Sequence, residues 1–174
     1  MKKYSIAILL LAAVLLLCAC TGTTPDTTGA SGNSNAGASD TPIGYLFTYN
    51  GLEFGVDMPA ADVLKALGTP KDKYTSKSCA FNGEDTVYYY SSIQVSTNNE
   101  QGYERIYSIY LEDDLVSTEK GISIGATPEQ VKAAYGEPDA VSTENCLIYA
   151  KDGMKLRFMI HNGKVSSIVY DMLP

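Results

Sequence analysis

One helix-sized pattern occurs twice in this chain, and the repetition limits the fold more than any other feature. Gly55-Val56-Asp57-Met58-Pro59-Ala60-Ala61-Asp62-Val63-Leu64-Lys65-Ala66-Leu67-Gly68-Thr69-Pro70 is answered by Gly125-Ala126-Thr127-Pro128-Glu129-Gln130-Val131-Lys132-Ala133-Ala134-Tyr135-Gly136-Glu137-Pro138, two residues shorter. From Val63 to Gly68 and from Val131 to Gly136 the spacing is identical, and both copies end Gly-x-Pro. Downstream, Cys79 answers to Cys146, and Arg105-Ile106-Tyr107-Ser108-Ile109 to Lys164-Val165-Ser166-Ser167-Ile168. Self-similarity of this kind marks repeated supersecondary units that bury their apolar faces together.

Each copy reads as a short helix with marked ends. Thr127 is placed as N-cap, Pro128 at the first helical position where a missing N–H costs nothing, and Gln130 completes a capping box. Val131, Ala134 and Tyr135 share one apolar face, as do Val63 and Leu67 in the first copy. Gly68 and Gly136 suit the position just past a helix, and the prolines two residues on forbid continuation. These glycines and prolines punctuate the fold and form no phosphate loop.

After each helix the period changes to two. In the second copy 146–150, 154–160 and 164–172 read as strands joined at Asp152-Gly153 and Asn162-Gly163, strong two-residue hairpin signals. In the first copy 78–81, 86–96 and 103–112 read as strands, with a turn at Asn82-Gly83 and a polar loop over 97–102, and 44–50 adds a leading strand. Ile106-x-x-Ile109 and Val165-x-x-Ile168 break strict alternation, which leaves the faces of the last strands unassigned and admits a bulge. The expected fold is therefore α+β: two tandem repeats, 43–115 and 116–174, each a short helix on a three- to four-stranded antiparallel meander. Units of about 60 residues are marginal alone, so the two are expected to share one core.

This arrangement resembles the tandem-repeat fold of the β-lactamase-inhibitor proteins and the small envelope lipoproteins of the outer-membrane-assembly type. The resemblance rests on the G-x-T-x-x-Q-V-x-x-x-x-G-x-P stretch from Gly125 to Pro138, its degenerate copy from Gly55 to Pro70, and the meander after each. The first copy departs from it, with Pro59 where Thr127 aligns and a two-residue insertion. Its fixed residues are caps and core, so it implies a fold and no functional residues.

The N-terminus reads as a processing segment. Lys2 and Lys3 precede an unbroken apolar run from Ile6 to Leu17, shorter than the roughly 20 residues of a spanning helix. The run ends Leu17-Cys18-Ala19-Cys20, which resembles the bacterial lipobox with Cys20 as the acylated residue. A cut before Cys18 would leave bulky Leu17 at the cleavage position. Residues 1–19 are thus expected to be a lipoprotein signal peptide, with a plain secretory signal or an uncleaved anchor as alternatives; each places the remainder outside the cytoplasm. Residues 21–42 carry no aliphatic side chain larger than alanine, so 20–42 is expected to be a lipidated cysteine and a tether spanning roughly 25 Å.

Charge excludes one class of partner. Removal of 1–19 leaves 11 basic against 20 acidic residues, a formal −9. Nucleic-acid affinity depends on Lys and Arg neutralising phosphates, so no nucleic-acid partner is expected. Membrane attachment is assigned to the lipid on Cys20 instead of a basic patch.

Chemistry is sparse. With one histidine, His161, a His-rich metal site is excluded, and His161 beside the Asn162-Gly163 turn has no recognisable nucleophile near it. Glu112-Asp113-Asp114 is the densest acidic cluster; it reads as a solvated turn and lacks calcium-loop spacing. Ser91, Ser92, Ser166 and Ser167 have no G-x-S-x-G context. Neither catalysis, metal nor cofactor is expected. Cys79 and Cys146 share the parity of Phe81 and Ile148, read as inward; outside the cytoplasm they are either a disulfide or two buried thiols.

What remains is a surface. Over 86–96 the parity of Val87, Tyr89, Ile93 and Val95 reads as core, which leaves Tyr88, Tyr90, Ser92 and Gln94 outward. Tyr149 and Lys155, Arg157, Met159 and His161 read as outward on the later strands. Tyr, Met and Arg are enriched in recognition surfaces, though tyrosine also favours strands for its own sake. The expected binding face is Tyr88, Tyr90, Gln94, Tyr149, Lys155, Arg157 and Met159. The functional expectation is a lipid-anchored, non-catalytic module of the bacterial cell envelope that binds an envelope or secreted protein, with a small-ligand sensor as the alternative.

Overall fold

The computed structural model describes residues 41–173. The expected signal peptide, Cys20 and nearly all of the tether lie outside the described residues.

The chain is α+β. A hairpin of β1 (Phe47–Tyr49) and β2 (Leu52–Phe54) comes first, then helix α1 (Ala60–Leu67) and four strands, β3 (Asp72–Lys77), β4 (Glu84–Tyr89), β5 (Ile93–Asn98) and β6 (Arg105–Leu111). Helix α2 (Pro128–Tyr135) follows, then β7 (Cys146–Lys151), β8 (Met154–His161) and β9 (Lys164–Met172). The last seven strands form one sheet in the order β3-β4-β5-β6-β9-β8-β7, every neighbour antiparallel. Each helix thus precedes a meander, and the two meanders join where β6 pairs with β9, Ser108 opposite Asp171 and Leu111 opposite Ile168.

Helix α2 has the termini its sequence specifies. The Thr127 side chain accepts from the Gln130 N–H at 3.3 Å, and the Gln130 side chain accepts from the Thr127 N–H at 2.8 Å. Both helix-capping glycines take positive φ, 79° at Gly68 and 87° at Gly136, and each N–H closes on the carbonyl four residues back. Helix α1 starts after Pro59 without a side-chain cap. Asp152-Gly153 and Asn162-Gly163 make the tight hairpins that their left-handed residues allow, and Asn50-Gly51 makes a third between β1 and β2.

Two features of the first meander differ from the expected strands. Residues 78–83 form a bend, with the Ser78 hydroxyl accepting from the N–H groups of Ala80 (3.3 Å) and Phe81 (3.0 Å); the strand lies upstream at β3, exposed throughout on the sheet edge. Residues 86–96 are two strands, because Tyr90-Ser91-Ser92 turns the chain and the Tyr90 N–H donates to the Ile93 carbonyl at 2.9 Å. The turn exchanges the inward parity. Thr86, Tyr88 and Tyr90 point to the core from one side of it, and Ile93, Val95 and Thr97 from the other.

Both broken alternations are bulges. Opposite β5, Tyr107 is the extra residue between Ile106 and Ser108; opposite β8, Ser166 is the extra residue between Val165 and Ser167. The core lies on one face of the sheet, where Ile93, Val95, Ile106, Ile109, Leu111, Leu156, Phe158, Ile168 and Tyr170 pack with Val63, Val131 and the hairpin residues Phe47 and Phe54.

Candidate functional groove on the open sheet face

The opposite face of the sheet is where a site forms. Along β8, Lys155, Arg157 and Met159 point to it; along β7, Cys146 and Ile148 do, with Ile148 directly opposite Arg157 and Cys146 opposite Met159. Asp171 of β9 completes the floor. The Tyr107 bulge carries that side chain to the same face, where it packs on Phe81 with ring centroids 5.3 Å apart. This contact brings the 78–83 bend over the sheet, so Ala80 and Phe81 form a wall. The result is a groove of about 430 Å³ lined by Ala80, Phe81, Tyr107, Cys146, Ile148, Lys155, Arg157, Met159, Asp171 and Met172. A second depression of about 480 Å³, which shares Phe81 and Met172 with it, adjoins the groove toward Ile43, Asp57, Arg105 and Asp152.

Its electrostatics are asymmetric. Arg157 Nε donates to Asp171 Oδ2 at 2.6 Å, and Asp171 Oδ1 accepts from the Ser108 hydroxyl at 2.9 Å, so both oxygens of that carboxylate are hydrogen-bonded. Lys155 faces Asp171 across the β8–β9 ladder, yet its ammonium has no ion-pair or hydrogen-bond partner among the described residues. The groove therefore carries one uncompensated positive charge on a chain whose formal net charge is −7. Burial pushes the Cys146 thiol up from its ordinary value, against a smaller opposing pull from the Arg157 charge. Burial, and next the Asp85 carboxylate, raise the Tyr107 phenol. The groove thus sets apolar side chains beside the Arg157–Asp171 pair and the Lys155 ammonium.

Of the residues expected at a binding face, Lys155, Arg157 and Met159 are brought together in this groove. Gln94 lies on the open face too, but donates to Glu112 at 2.6 Å and does not line the groove. The three tyrosines are corrections. Tyr88 is 8% exposed, Tyr90 7% and Tyr149 4%, all in the core. Tyr88 and Tyr90 are inward because the turn at 90–92 reverses the parity assumed across it. Tyr149 is inward because Leu147 and Tyr149, not Cys146 and Ile148, face the helices; its hydroxyl donates to the Gly136 carbonyl at 3.0 Å, and its ring meets Tyr135 at 5.3 Å. The cysteine expectation is corrected for the same reasons. Cys79 is exposed in the bend, Cys146 is half-buried at the groove, and neither is bridged or in the core.

Ala80, Phe81, Tyr107, Ile148, Asp171 and Met172 line the groove without having been expected there. The broken spacing at Ile106-x-x-Ile109 was the available signal for Tyr107, since a bulge re-aims the extra side chain. His161 is exposed at the end of β8, and Asp113 accepts from the Leu115 N–H at 3.0 Å in a turn. Among the described residues no group of three or more His, Cys, Asp or Glu is placed to hold a metal ion, and no helix is long and apolar enough to cross a membrane.

No family model and no curated protein matches the chain. A solved structure, described as a DUF4309 family protein (YjgB) from Bacillus subtilis subsp. subtilis str. 168, is similar at 17% identity with a TM-score of 0.44; the match covers 66% of this chain and 78% of that one.

Proposed function

We infer that this chain is a non-catalytic recognition module of the bacterial cell envelope, tethered by a lipid on Cys20, which binds an envelope or secreted protein through the groove on its open sheet face. The observation that carries the reading is the groove itself: apolar side chains of four strands and a bend line it together with Lys155, whose ammonium has no ion-pair or hydrogen-bond partner among the described residues, a composition suited to recognition. The extracytoplasmic location is supported by the Leu17-Cys18-Ala19-Cys20 lipobox. The likeness of the repeated pattern to β-lactamase-inhibitor proteins and outer-membrane-assembly lipoproteins belongs to the same proposal.

Ile148 and Met159 are half-buried on the groove face, so paired Ile148→Asp and Met159→Asp changes should spoil the surface and spare the core. Immobilised wild-type chain is expected to retain a partner from envelope or secreted extracts, and the double variant, with a thermal midpoint within a few degrees of wild type, to lose it. Equal capture by both chains would remove the groove from the account.

A further inference from the structure

We propose that the groove selects an extended segment of its protein partner by one carboxylate placed four residues from an apolar side chain, with Lys155 as the reader of the carboxylate. This rests on the protein-binding reading above and specifies what the groove recognises.

Lys155, Arg157 and Met159 project from alternate positions of one strand, which at 3.3 Å per residue sets Met159 about 13 Å from Lys155. An extended segment lying along β8 has the same repeat, so side chains at i, i+2 and i+4 meet these positions in turn, in either chain direction. The Met159 end is apolar, with Cys146 directly opposite and Ile148 next along the same face of β7. The middle position is closed to charge, because Arg157 and Asp171 satisfy one another; a small neutral residue fits over them. At the far end Lys155 is half-buried opposite Asp171 on the ladder, and its ammonium has no ion-pair or hydrogen-bond partner among the described residues. A lysine ammonium without a hydrogen-bonded partner gains a charge-assisted hydrogen bond when a carboxylate arrives; Asp171, opposite Lys155 on the ladder, is bound to Arg157 and Ser108 and makes no hydrogen bond or ion pair with it. A segment is favoured over a small amphiphile because the depression continues past Phe81 and Met172 toward Arg105 and Asp57, further than a single short ligand extends.

The test uses the purified full-length chain and fluorescein-labelled peptides, Gly-Gly-Ile-Gly-Ser-Gly-Glu-Gly-Gly and its reversed sequence, each with a Glu-to-Gln and a Glu-to-Lys analogue, read by anisotropy. Wild type is expected to bind at least one Glu peptide about tenfold more tightly than its Gln analogue. Lys155→Gln is expected to bind Glu and Gln peptides alike, and Lys155→Glu to exchange preference from the Glu to the Lys peptide. That exchange separates a reader of charge from a residue that merely supports the fold. Equal affinity for the Glu and Gln peptides, a preference indifferent to position 155, or binding of none of them overturns the proposal. So does displacement of the Glu peptide by decanoate at lower concentration than unlabelled Glu peptide, which assigns the groove to free amphiphiles. If these results overturn it while Ile148→Asp with Met159→Asp still abolishes partner capture, only the carboxylate rule fails; if capture also survives the double variant, the protein-binding reading fails with it.

Discussion

Phe158→Ala is expected to lower the unfolding free energy by about 3–5 kcal/mol, the cost of deleting a large aromatic side chain from a core that cannot collapse around the void. Phe158 is 0% exposed and meets the rings of Tyr135 at 5.4 Å and Tyr149 at 5.9 Å. It ties β8 to the end of helix α2 and to the neighbouring strand β7. Domains of this size are stable by only about 5–15 kcal/mol, so the change removes a large share of the total and lowers the thermal midpoint by roughly 10–20 °C. Val141→Ala serves as the comparison, because Val141 is 70% exposed and its truncation is expected to move stability by less than about 0.5 kcal/mol. Urea unfolding of both variants measures the contrast. A Phe158→Ala loss no larger than that of Val141→Ala would contradict the packing described for α2 against the sheet.

High pH should dismantle the same region. Burial is the main cause that pushes the phenols of Tyr135 and Tyr149 up to about 12, with nearby Glu119 and Glu137 carboxylates adding to it respectively, and it drives Tyr88 and Tyr170 higher still. Tyr88 also donates to Glu104 at 2.6 Å, which favours its protonated form. In the unfolded chain these groups ionise near the ordinary value of about 10. Above that pH the unfolded state binds fewer protons than the folded one, so stability falls as pH rises. The contribution is whole below pH about 10 and is lost progressively through about 12 and beyond. Tyrosinate absorbance from these four phenols is expected to appear together with loss of ellipticity, and Tyr135→Phe with Tyr149→Phe to reduce that step without shifting other tyrosine signal. Ionisation of the four near pH 10 with the ellipticity intact would contradict their burial.

The contrast between what was legible and what was not follows from local chemistry. Helix α2 could be bounded to the residue because Thr127, Pro128, Gln130 and Gly136 each act through the backbone beside them. The Asp152-Gly153 and Asn162-Gly163 hairpins were readable for the same reason, as few other residue pairs tolerate left-handed conformations in succession. Spacing alone flagged both bulges. The faces of the strands were harder, since apolar side chains lie on both sides: Val87 and Tyr89 alternate with Tyr88 and Tyr90, and Cys146 and Ile148 with Leu147 and Tyr149. Where both parities are apolar, alternation does not name the buried one; the helices decide it by covering one side. The Tyr90-Ser91-Ser92 turn lacks glycine, proline and asparagine, so nothing local announced the reversal of parity. Lys155, Arg157 and Met159 were found because β8 alternates cleanly with Leu156 and Phe158, whereas Phe81 and Tyr107 join them only through long-range contacts across the sheet.

The tyrosine count is a poor guide to the groove, because Tyr88, Tyr90 and Tyr149 are all buried in the core. Most of the aromatic surface in the second meander is spent on α2, where Tyr135, Tyr149 and Phe158 pack edge and face within 6 Å of one another. The groove is lined instead by methionine, isoleucine and lysine beside the Arg157–Asp171 pair, with Phe81 and Tyr107 closing its side.

Site-specific photo-cross-linking tests the central claim most directly. With benzoylphenylalanine at position 159 in the groove, or at position 115, where Leu115 is 82% exposed and away from the groove, irradiation of cells making the full-length chain should give a discrete protein adduct from position 159 alone. Adding Ile148→Asp to the same chain should abolish it. Adducts in equal yield from positions 159 and 115, or an adduct at 159 that survives Ile148→Asp, would contradict the account.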